Sequence, residues 1–499
     1  MGPAQVRADG APVANYTSRL ASFAANLGYD DLPPAAVAHA KLCLLDTLGC
    51  GLYGSTLPWS RILLDTSEAL GRGGPGTAWG SGRPLSAPDA ALVNGTAVHG
   101  LELDDLHKHS IVHPGSVVLP AALALAEHEA AAHGTVTSGR QLLTAVVAGY
   151  EVAARVGMSV GTAHLIHGWH PTGTHGTLGA AAAAGHLLGL DPDRMVHALG
   201  IAGSQASGLM AAQYASMVKR FHAGRASQSG VYGAVLASRG FTGITELFES
   251  EYGGYCGTFS PSHDLTRLVA GLGEFWEITT VGFKPYATNG SCHTTIDALL
   301  EMRRTHGVSA ETVARVTVHT STATAKHVGW RYVPDSVTTA QMNLPYIVAV
   351  TLTDGAAFVA QFSAERVRDP ELVALAGQVD VLVDPAIDAL GDKARHAMRI
   401  EVTRTDGTVL HATREYAKGS ALAPLTPAEV DAKFESLAGR LLNPGQVDRL
   451  RTLVGELDKH DDIGELIRAL VPAESPSTAR QSGANAPATS DGRLLEEPR

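Results

Sequence analysis

Most of the chain from Tyr16 to about Gly271 consists of long runs of small and apolar residues, separated by Gly, Pro, His and Asp. Several runs are apolar almost all round, which is typical of buried helices rather than amphipathic surface helices. Residues 15–272 are therefore expected to form most of a large, all-helical domain. The predicted helices are Ala35–Tyr53, Asp89–Leu103, Val117–His133, Gly139–Ser159, Leu178–Leu188 and Ala223–Arg239.

The pattern changes near Phe275, where β-branched residues and alternating positions become frequent. Asp406-Gly407 lies between two alternating segments and indicates a hairpin turn. Two helices are expected among the strands, at about Cys292–Thr305 and Ala340–Thr353. Residues 273–415 are thus expected to form a smaller α+β domain. The predicted strands are Trp276–Val281, Val313–Ser321, Arg399–Thr403 and Val409–Tyr416.

Helical sequence returns at Thr426–Ala438 and Gly445–Glu456. The segment Thr426-Pro-Ala-Glu429 has the residues of a capped helix start. These helices are expected to pack back on the first helical domain, so that residues 416–472 complete it. The predicted fold class is mainly α, with a helical domain made from both ends of the chain. Residues 1–14 are expected to be a flexible arm, and 473–499, rich in Ser, Ala, Pro and Gly, a disordered tail.

Composition excludes some classes of function. The net charge is −11 and no basic run is present, which argues against binding to nucleic acid. The four cysteines are isolated and form no CxxC pair, which favours a reducing, cytoplasmic location. The polar start of the sequence lacks a signal peptide, and no membrane-spanning segment is predicted.

One local arrangement recurs four times: a His or Lys at, or just before, the start of a helix rich in small residues. The four are His113, His170, Lys219 and His293. Helix N-termini present unpaired N–H groups and a partial positive charge, so an added cation makes a site for a carboxylate. If these termini converge, they form a receptor for a molecule with two or three carboxylates. Such cations also stabilise charge that develops on carboxylate oxygens, and a histidine transfers protons near neutral pH.

An acidic stretch, His99-Gly-Leu-Glu-Leu-Asp-Asp105, is the other signal. Its carboxylates lie among several histidines, which raises the question of a metal site. No HxH or HxxxD pairing elsewhere completes a ligand set, so no metal is expected. The carboxylates are expected instead to orient the basic residues and to tune their pKa values.

These residues, in this order, resemble the MmgE/PrpD family. The resemblance runs from about Tyr16 to Pro472, and its segments are specific when taken together. Matching segments are His99–Asp105, Val112–Ala121, Trp169–Thr172, Gly176–Ala184, Leu199–Leu209, Met217–Gly224, Phe283–Tyr286 and His293–Ala298.

The resemblance implies a large helical domain, a smaller α+β lid, and a site between them. It implies action on small polycarboxylates without a metal or organic cofactor, and a homodimer. Carried over by motif, His113, His170, Lys219 and His293 are expected to be catalytic. Substrate-binding roles are expected for the acidic motif and the lid, at Glu102, Asp104, Lys284 and Tyr346.

The middle of the chain is most similar to the cis-aconitate decarboxylase type within that family. The expected function is therefore a cofactor-independent lyase that removes CO₂ from a small di- or tricarboxylate. Three alternatives stay open from the sequence: a 2-methylcitrate dehydratase-type hydro-lyase, an epimerase or isomerase of a polycarboxylate, and a catalytically silent polycarboxylate-binding protein.

Overall fold

The computed structural model describes residues 15–214, 216–391 and 394–473. It is 59% helical and 8% strand, which confirms a mainly α fold with a smaller α+β domain. The arm predicted for residues 1–14 lies outside the described residues, as does the predicted tail apart from Ala473.

Within the described residues the large domain has thirteen α-helices, ten before the α+β domain and three after it, with a small hairpin of β1 (Gly76–Thr77) and β2 (Pro84–Leu85). Several begin with Pro in the first turn, where its missing N–H has no intrahelical partner to lose. The helices are α1 Tyr16–Asn26, α2 Pro34–Ser55, α3 Pro58–Leu70, α4 Ala87–Val98, α5 Gly115–His133, α6 Gly139–Ile166, α7 Pro171–Leu187, α8 Pro192–Gly203, α9 Val218–Ser238, α10 Tyr255–Phe259, α17 Pro427–Ala438, α18 Pro444–Gly455 and α19 Gly464–Ala469.

Close packing of α9 on α4 depends on a glycine. A Cβ atom at Gly224 of α9 would collide with the carbonyl oxygen of Leu92 and the hydroxyl of Thr96, both in α4. The absent side chain therefore lets the two backbones approach closely. This contact brings the first turn of α9, which carries Lys219, close to the acidic loop that follows α4.

The smaller domain, called the lid below, is a four-stranded sheet with helices. Strand order is β4-β3-β5-β6, with β3 and β4 parallel and the other pairs antiparallel. Val316, Val318, Ile400 and Val402 are fully buried, so one face of the two central strands lies in the core. The elements are α11 His293–His306, β3 Val313–Thr320, α12 Thr322–Val328, α13 Val337–Gln341, α14 Leu344–Asp354, α15 Pro370–Ala376, β4 Val379–Val383, α16 Pro385–Asp388, β5 Met398–Arg404 and β6 Val409–Arg414.

The hairpin predicted around Asp406-Gly407 is confirmed, with Gly407 at φ +84° in its turn. The strand predicted at Trp276–Val281 is wrong, because this segment forms a 3-10 turn at Glu277–Thr280. The turn buries Ile278, whose backbone N–H donates to Glu151 Oε1 at 3.0 Å. The β-branched residues there pack against helices instead of pairing with a strand. Strand β4 was not predicted.

The C-terminal helices pack on the N-terminal domain, as expected for a domain made from both chain ends. Phe434 of α17 lies against Gly49 of α2. Lys433 Nζ is 2.6 Å from Asp46 Oδ1 and donates to the carbonyl of Leu103 at 2.6 Å. Burial raises the pKa of Asp46, and the charge of Lys433 opposes that rise. Helix α17 thus holds the acidic loop in place through Lys433.

In the part of the chain that the structure describes, two helices, α2 and α6, are long and apolar enough to cross a membrane. In their most apolar stretches 67% and 94% of the residues are buried within the protein. Buried core helices of soluble proteins reach the same length and apolar composition, so these two helices are weak evidence for membrane insertion. The expected absence of a membrane stays a prediction.

Candidate active site

The four basic residues expected at helix starts are all found there. His113 lies two residues before α5, His170 is the N-cap of α7, Lys219 is the second residue of α9, and His293 is the first residue of α11. All four side chains are buried, with at most 8% of the residue surface exposed. The predicted association of these residues with helix N-termini is therefore confirmed.

Glu102 is the centre of the site, because three cations converge on its carboxylate. Lys219 Nζ donates to Oε1, Arg220 Nη1 lies 2.5 Å from the same oxygen, and Lys284 Nζ lies 3.3 Å from Oε2. Lys284 also donates to the Glu102 carbonyl at 3.1 Å. Each of these side chains is at most 5% exposed. The loop after α4, helix α9 and the segment before α11 thus meet at one carboxylate.

The electrostatics of this cluster leave positive charge uncompensated. Burial alone would raise the pKa of Glu102, but Lys219, Lys284 and Arg220 hold it well below its usual range. Burial lowers the pKa of Lys219 to about 8, although Glu102 opposes that change. One carboxylate faces three cations, so two positive charges remain in a buried setting. Buried charge without a partner is costly, and an anionic ligand would remove that cost.

The backbone of the acidic loop is strained at this point. Glu102 adopts φ +56°, in the left-handed region that non-glycine residues rarely enter. Gln341 of the lid helps to hold the loop, because it donates to the carbonyl of Leu101 at 2.7 Å and is itself held by Arg220 Nη2, from which it accepts at 2.7 Å. Strain that is held in place by surrounding contacts is characteristic of functional sites.

Asp104 lies between two histidines. His99 Nδ1 donates to Asp104 Oδ2 at 2.8 Å, and His113 Nδ1 lies 3.3 Å from Asp104 Oδ1. The second pair is close enough for an ion pair, although its geometry is not that of a hydrogen bond. Burial would raise the pKa of Asp104, but His113 and His99 hold it well below its usual range. An ionised Asp104 therefore provides a counter-charge when the His113 ring carries a proton.

His99, Asp104 and His113 also place three ligand atoms within 4.8 Å of one another, a grouping that suits a metal ion. His99 Nδ1 and Asp104 Oδ2 are hydrogen-bonded to each other, whereas His99 Nε2, Asp104 Oδ1 and His113 Nδ1 are buried without a hydrogen-bond partner among the described residues. The expectation that the site uses no metal stays a prediction.

The remaining two histidines flank this centre. The ring of His170 lies 5.4 Å from that of His99, and its Nδ1 is 3.1 Å from Nδ1 of His222. Burial and the charge of Lys219 hold the pKa of His170 well below its usual range. On the lid side, His293 Nε2 donates to the Thr288 carbonyl at 3.3 Å. Burial and Lys284 lower the pKa of His293 to about 3, so its ring is neutral at physiological pH.

A cavity lies between the helical domain and the lid, beside these groups. Both domains contribute polar side chains to it. Its polar lining comprises His113, Thr162, Lys284, Asn289, Ser291, Thr324, His327, Arg395 and His396. His293 borders an adjacent cavity that shares Leu106, Lys284, Gly290 and His396 with the first. A small ligand in this space would contact Lys284 and His113, which both line it.

The structure groups seven of the eight predicted site residues and places the eighth elsewhere. Tyr346 is fully buried in the lid core, where its hydroxyl donates to the Gln361 carbonyl at 2.7 Å and its ring lies against Tyr332. Glu102 and Asp104 are in the group, but their carboxylates hold cations and imidazoles. An anionic substrate is repelled by carboxylates, so the geometry favours an orienting role for both.

Sequence patterns did not identify several polar residues that lie near the site. Arg220 is adjacent to Lys219, but neighbouring helix positions point in different directions, so only one was chosen. Lys433 and Gln341 carry no local motif, and their roles depend on contacts across the fold. His99 was singled out only as a candidate metal ligand or oriented histidine. The lid residues His327, Arg395 and His396 also lacked a signal.

Comparison with known proteins agrees with this architecture. The MmgE/PrpD N-terminal domain model matches residues 18–266, and the MmgE/PrpD C-terminal domain model matches residues 286–459. A cis-aconitate decarboxylase of Aspergillus terreus is 33% identical over 486 residues, covering 94% of this chain and 99% of that protein. The human cis-aconitate decarboxylase is 29% identical over 478 residues, covering 94% and 97%.

A more distant relative has a different activity. The 2-methylcitrate dehydratase of Cupriavidus necator is 23% identical over 432 residues, covering 82% of this chain and 84% of that protein. Both family models and the full-length relatives lead to one conclusion: the chain belongs to the MmgE/PrpD family.

Proposed function

We propose that this protein is a lyase that decarboxylates cis-aconitate or a closely similar polycarboxylate. The observation that carries the proposal is the surplus of buried positive charge around Glu102, beside a histidine that is paired with Asp104. The similarity to cis-aconitate decarboxylases over almost their whole length supports the choice of reaction.

Substrate binding follows from the charges. Carboxylate groups of the substrate displace water and pair with Lys219, Arg220 and Lys284, which Glu102 holds in position. Charge-assisted hydrogen bonds of this kind are short and strong in a buried site. The same cations orient the substrate relative to His113, which lines the cavity.

The chemical step needs an electron acceptor within the substrate and a donor of one proton. When the C–C bond to the leaving carboxylate breaks, its electron pair passes into the conjugated carbon framework of the substrate. Negative charge then builds on the remaining carboxylate oxygens, where preorganised cations stabilise it. A protonated His113, with Asp104 as its counter-charge, delivers the proton to carbon. Each turnover releases one CO₂ and takes up one proton from solvent.

A panel of polycarboxylates in deuterated water, followed by NMR, tests this function. The expected result is loss of CO₂ from cis-aconitate with one deuterium placed on carbon in the product. Loss or gain of water with 2-methylcitrate would identify a hydro-lyase. Deuterium uptake without loss of CO₂ or water would identify an epimerase. Binding of these acids with no exchange and no product would identify a silent binding protein.

Raising the pH through about 8 is expected to weaken substrate capture, because Lys219 loses its proton there. Burial lowers the pKa of Lys219 to about 8, and Arg220 and Lys284 add to this, while Glu102 opposes it. If this proton is essential, kcat/KM falls about tenfold per pH unit on the alkaline side. The measurement is the pH profile of kcat/KM.

Two variants assign that alkaline limb. Arg stays charged at these pH values, so Lys219→Arg should move the limb upward by at least about one pH unit. Burial also lowers the pKa of Lys108 to about 8, and Lys108 borders the adjacent cavity. The Lys108→Gln variant should keep the limb. The assignment of the alkaline fall in kcat/KM to Lys219 would be contradicted if Lys108→Gln abolished that fall and Lys219→Arg left it at the same pH.

We also infer that the protein forms a homodimer. Large apolar side chains are exposed on the segment that leads into α9, with Leu209, Tyr214 and Met217 each more than half exposed. Contiguous exposed apolar residues are typical of interaction surfaces. In sedimentation velocity the wild type should run as a dimer and Met217→Lys largely as a monomer. The control, Leu70→Lys on α3, should remain dimeric, and a monomeric wild type would refute the inference.

The cytoplasmic location stays a prediction.

A further inference from the structure

Asp105 carries a buried carboxyl group that the proposed reaction does not use. It is fully buried and directly follows Asp104 in the acidic loop. Its Oδ1 accepts the backbone N–H of Gly115 at 3.0 Å, and its Oδ2 accepts the hydroxyl of Tyr150 at 2.8 Å. Gly115 is the first residue of α5 and comes two residues after His113. Asp105 therefore connects the acidic loop to the helix start beside His113.

The contact with Gly115 is possible because the helix start has no side chain at that position. A Cβ atom at Gly115 would lie 2.2 Å from Thr47 Oγ1 and 3.0 Å from both Asp105 Oδ1 and the Tyr150 hydroxyl. An N–H group in the first turn has no partner within its own helix, and burying it unpaired is costly. Asp105 supplies the acceptor for this group, so loss of the carboxyl would destabilise the start of α5.

Two further contacts fix the backbone of His113. Its N–H donates to Thr172 Oγ1 in the first turn of α7 at 3.2 Å, and its carbonyl accepts from Ser116 Oγ at 2.7 Å. Asp105 adds a connection between this backbone and the residue next to Asp104. The placement of the His113 ring, whose Nδ1 lies 3.3 Å from Asp104 Oδ1, thus depends on Asp105.

The two adjacent carboxyl groups differ in charge because their surroundings differ. Asp104 faces His113 and His99, which hold its pKa well below the usual range against the effect of burial. Burial raises the pKa of Asp105 well above its usual range, and the charges of Asp46 and Asp104 raise it further. Asp105 thus favours its uncharged form, whereas Asp104 carries the counter-charge.

We propose that Asp105 is a positioning residue, which places the His113 ring against Asp104 by holding the start of α5. It lines neither of the two adjoining cavities and so acts through His113. The inference rests on the proposed function, in which His113 delivers the proton. It implies that Asp105 is needed for its shape and its hydrogen bonds, and Asp104 for its negative charge.

The test compares kcat and KM on cis-aconitate among variants of the two residues. Asp105→Asn can keep both contacts, because its amide oxygen accepts from Gly115 and its amide nitrogen donates to the Tyr150 oxygen. It should retain kcat within about threefold. Asp105→Ala removes both contacts and should lower kcat by about tenfold or more, because a displaced reacting group is costly in rate. Its KM should change by less than about threefold. Asp104→Asn should lower kcat by at least about tenfold, because the counter-charge is lost.

Glu249→Ala is the matched control for a loss of stability alone. Glu249 is also buried, and it accepts the N–H of Thr17 in the first turn of α1 at 3.2 Å and the hydroxyl of the same residue. It lines neither cavity. Glu249→Ala and Asp105→Ala should both lower the urea midpoint of unfolding, but only Asp105→Ala should lower kcat.

Wild-type kcat in folded Asp105→Ala overturns the inference. An equal loss of kcat in Asp105→Asn and Asp105→Ala also overturns it, because the charge would then be the property that matters. If Asp105→Ala does not fold, Asp105→Ser decides on the same criterion, since its oxygen is one bond shorter. A wild type that releases no CO₂ but exchanges a carbon-bound hydrogen of the substrate with deuterated water would refute the proposed reaction. The exchange rates of the same variants then decide the role of Asp105.

Discussion

Replacement of His113 by Asn is expected to lower kcat by about 10²–10⁴-fold, the usual contribution of a positioned acid or base. His113 lines the cavity, and its ring is the one that faces both this space and the ionised Asp104. His293, by contrast, donates to the Thr288 carbonyl and is neutral at physiological pH, with its pKa lowered to about 3 by burial and Lys284. The geometry thus favours His113 as the proton carrier.

Steady-state kinetics on cis-aconitate measure this loss, and ligand titration shows whether binding survives. The expected split is a large fall in kcat with tricarboxylate affinity changed by less than about tenfold, because the cations around Glu102 remain. The control is His133→Asn, an exposed histidine at the other end of α5. A His113→Asn variant with wild-type kcat would remove His113 from the proton transfer.

Replacement of Glu102 by Gln is expected to lower the free energy of unfolding by about 3–5 kcal/mol, the usual cost of breaking a buried ion pair. The change leaves Lys219, Arg220 and Lys284 without a counter-charge in a buried site. Urea denaturation measures the loss. Glu274→Gln, at an exposed position, is the control and should change stability by no more than about 0.5 kcal/mol.

An anion should reverse part of that loss. In Glu102→Gln, propane-1,2,3-tricarboxylate should raise the unfolding midpoint more than it does in the wild type, because it supplies the missing negative charge. Equal stability of Glu102→Gln and wild type would show that the three cations are not held by this carboxylate. Loss of stability without any rescue by the tricarboxylate would argue against an anion-binding cluster.

The sequence predicted the features of the site that depend on local patterns. His113, His170, Lys219 and His293 each lie next to a helix start that is readable from flanking Pro, Gly and small residues. The physics of helix N-termini alone predicts an anion-binding arrangement at these positions. The mainly α fold was likewise predictable, because long apolar segments indicate buried helices.

Features that depend on tertiary contacts were not predictable. Trp276–Val281 has the composition of a strand, but it pairs with none of the strands among the described residues and folds as a turn. Tyr346 was expected to bind substrate, yet it lies in the first turn of α14, which directs its hydroxyl to Gln361 in the lid core. Arg395 comes within reach of Lys108 only because the fold brings together two residues that are 287 positions apart in the sequence.

The most direct test of the central claim is stoichiometric: CO₂ and the remaining dicarboxylate are measured together after purified protein is mixed with cis-aconitate. Equal amounts of CO₂ and dicarboxylate are expected from the wild type, and a rate lower by about 10²-fold or more from His113→Asn. Folded wild-type protein that binds cis-aconitate and releases no CO₂ would contradict this expectation.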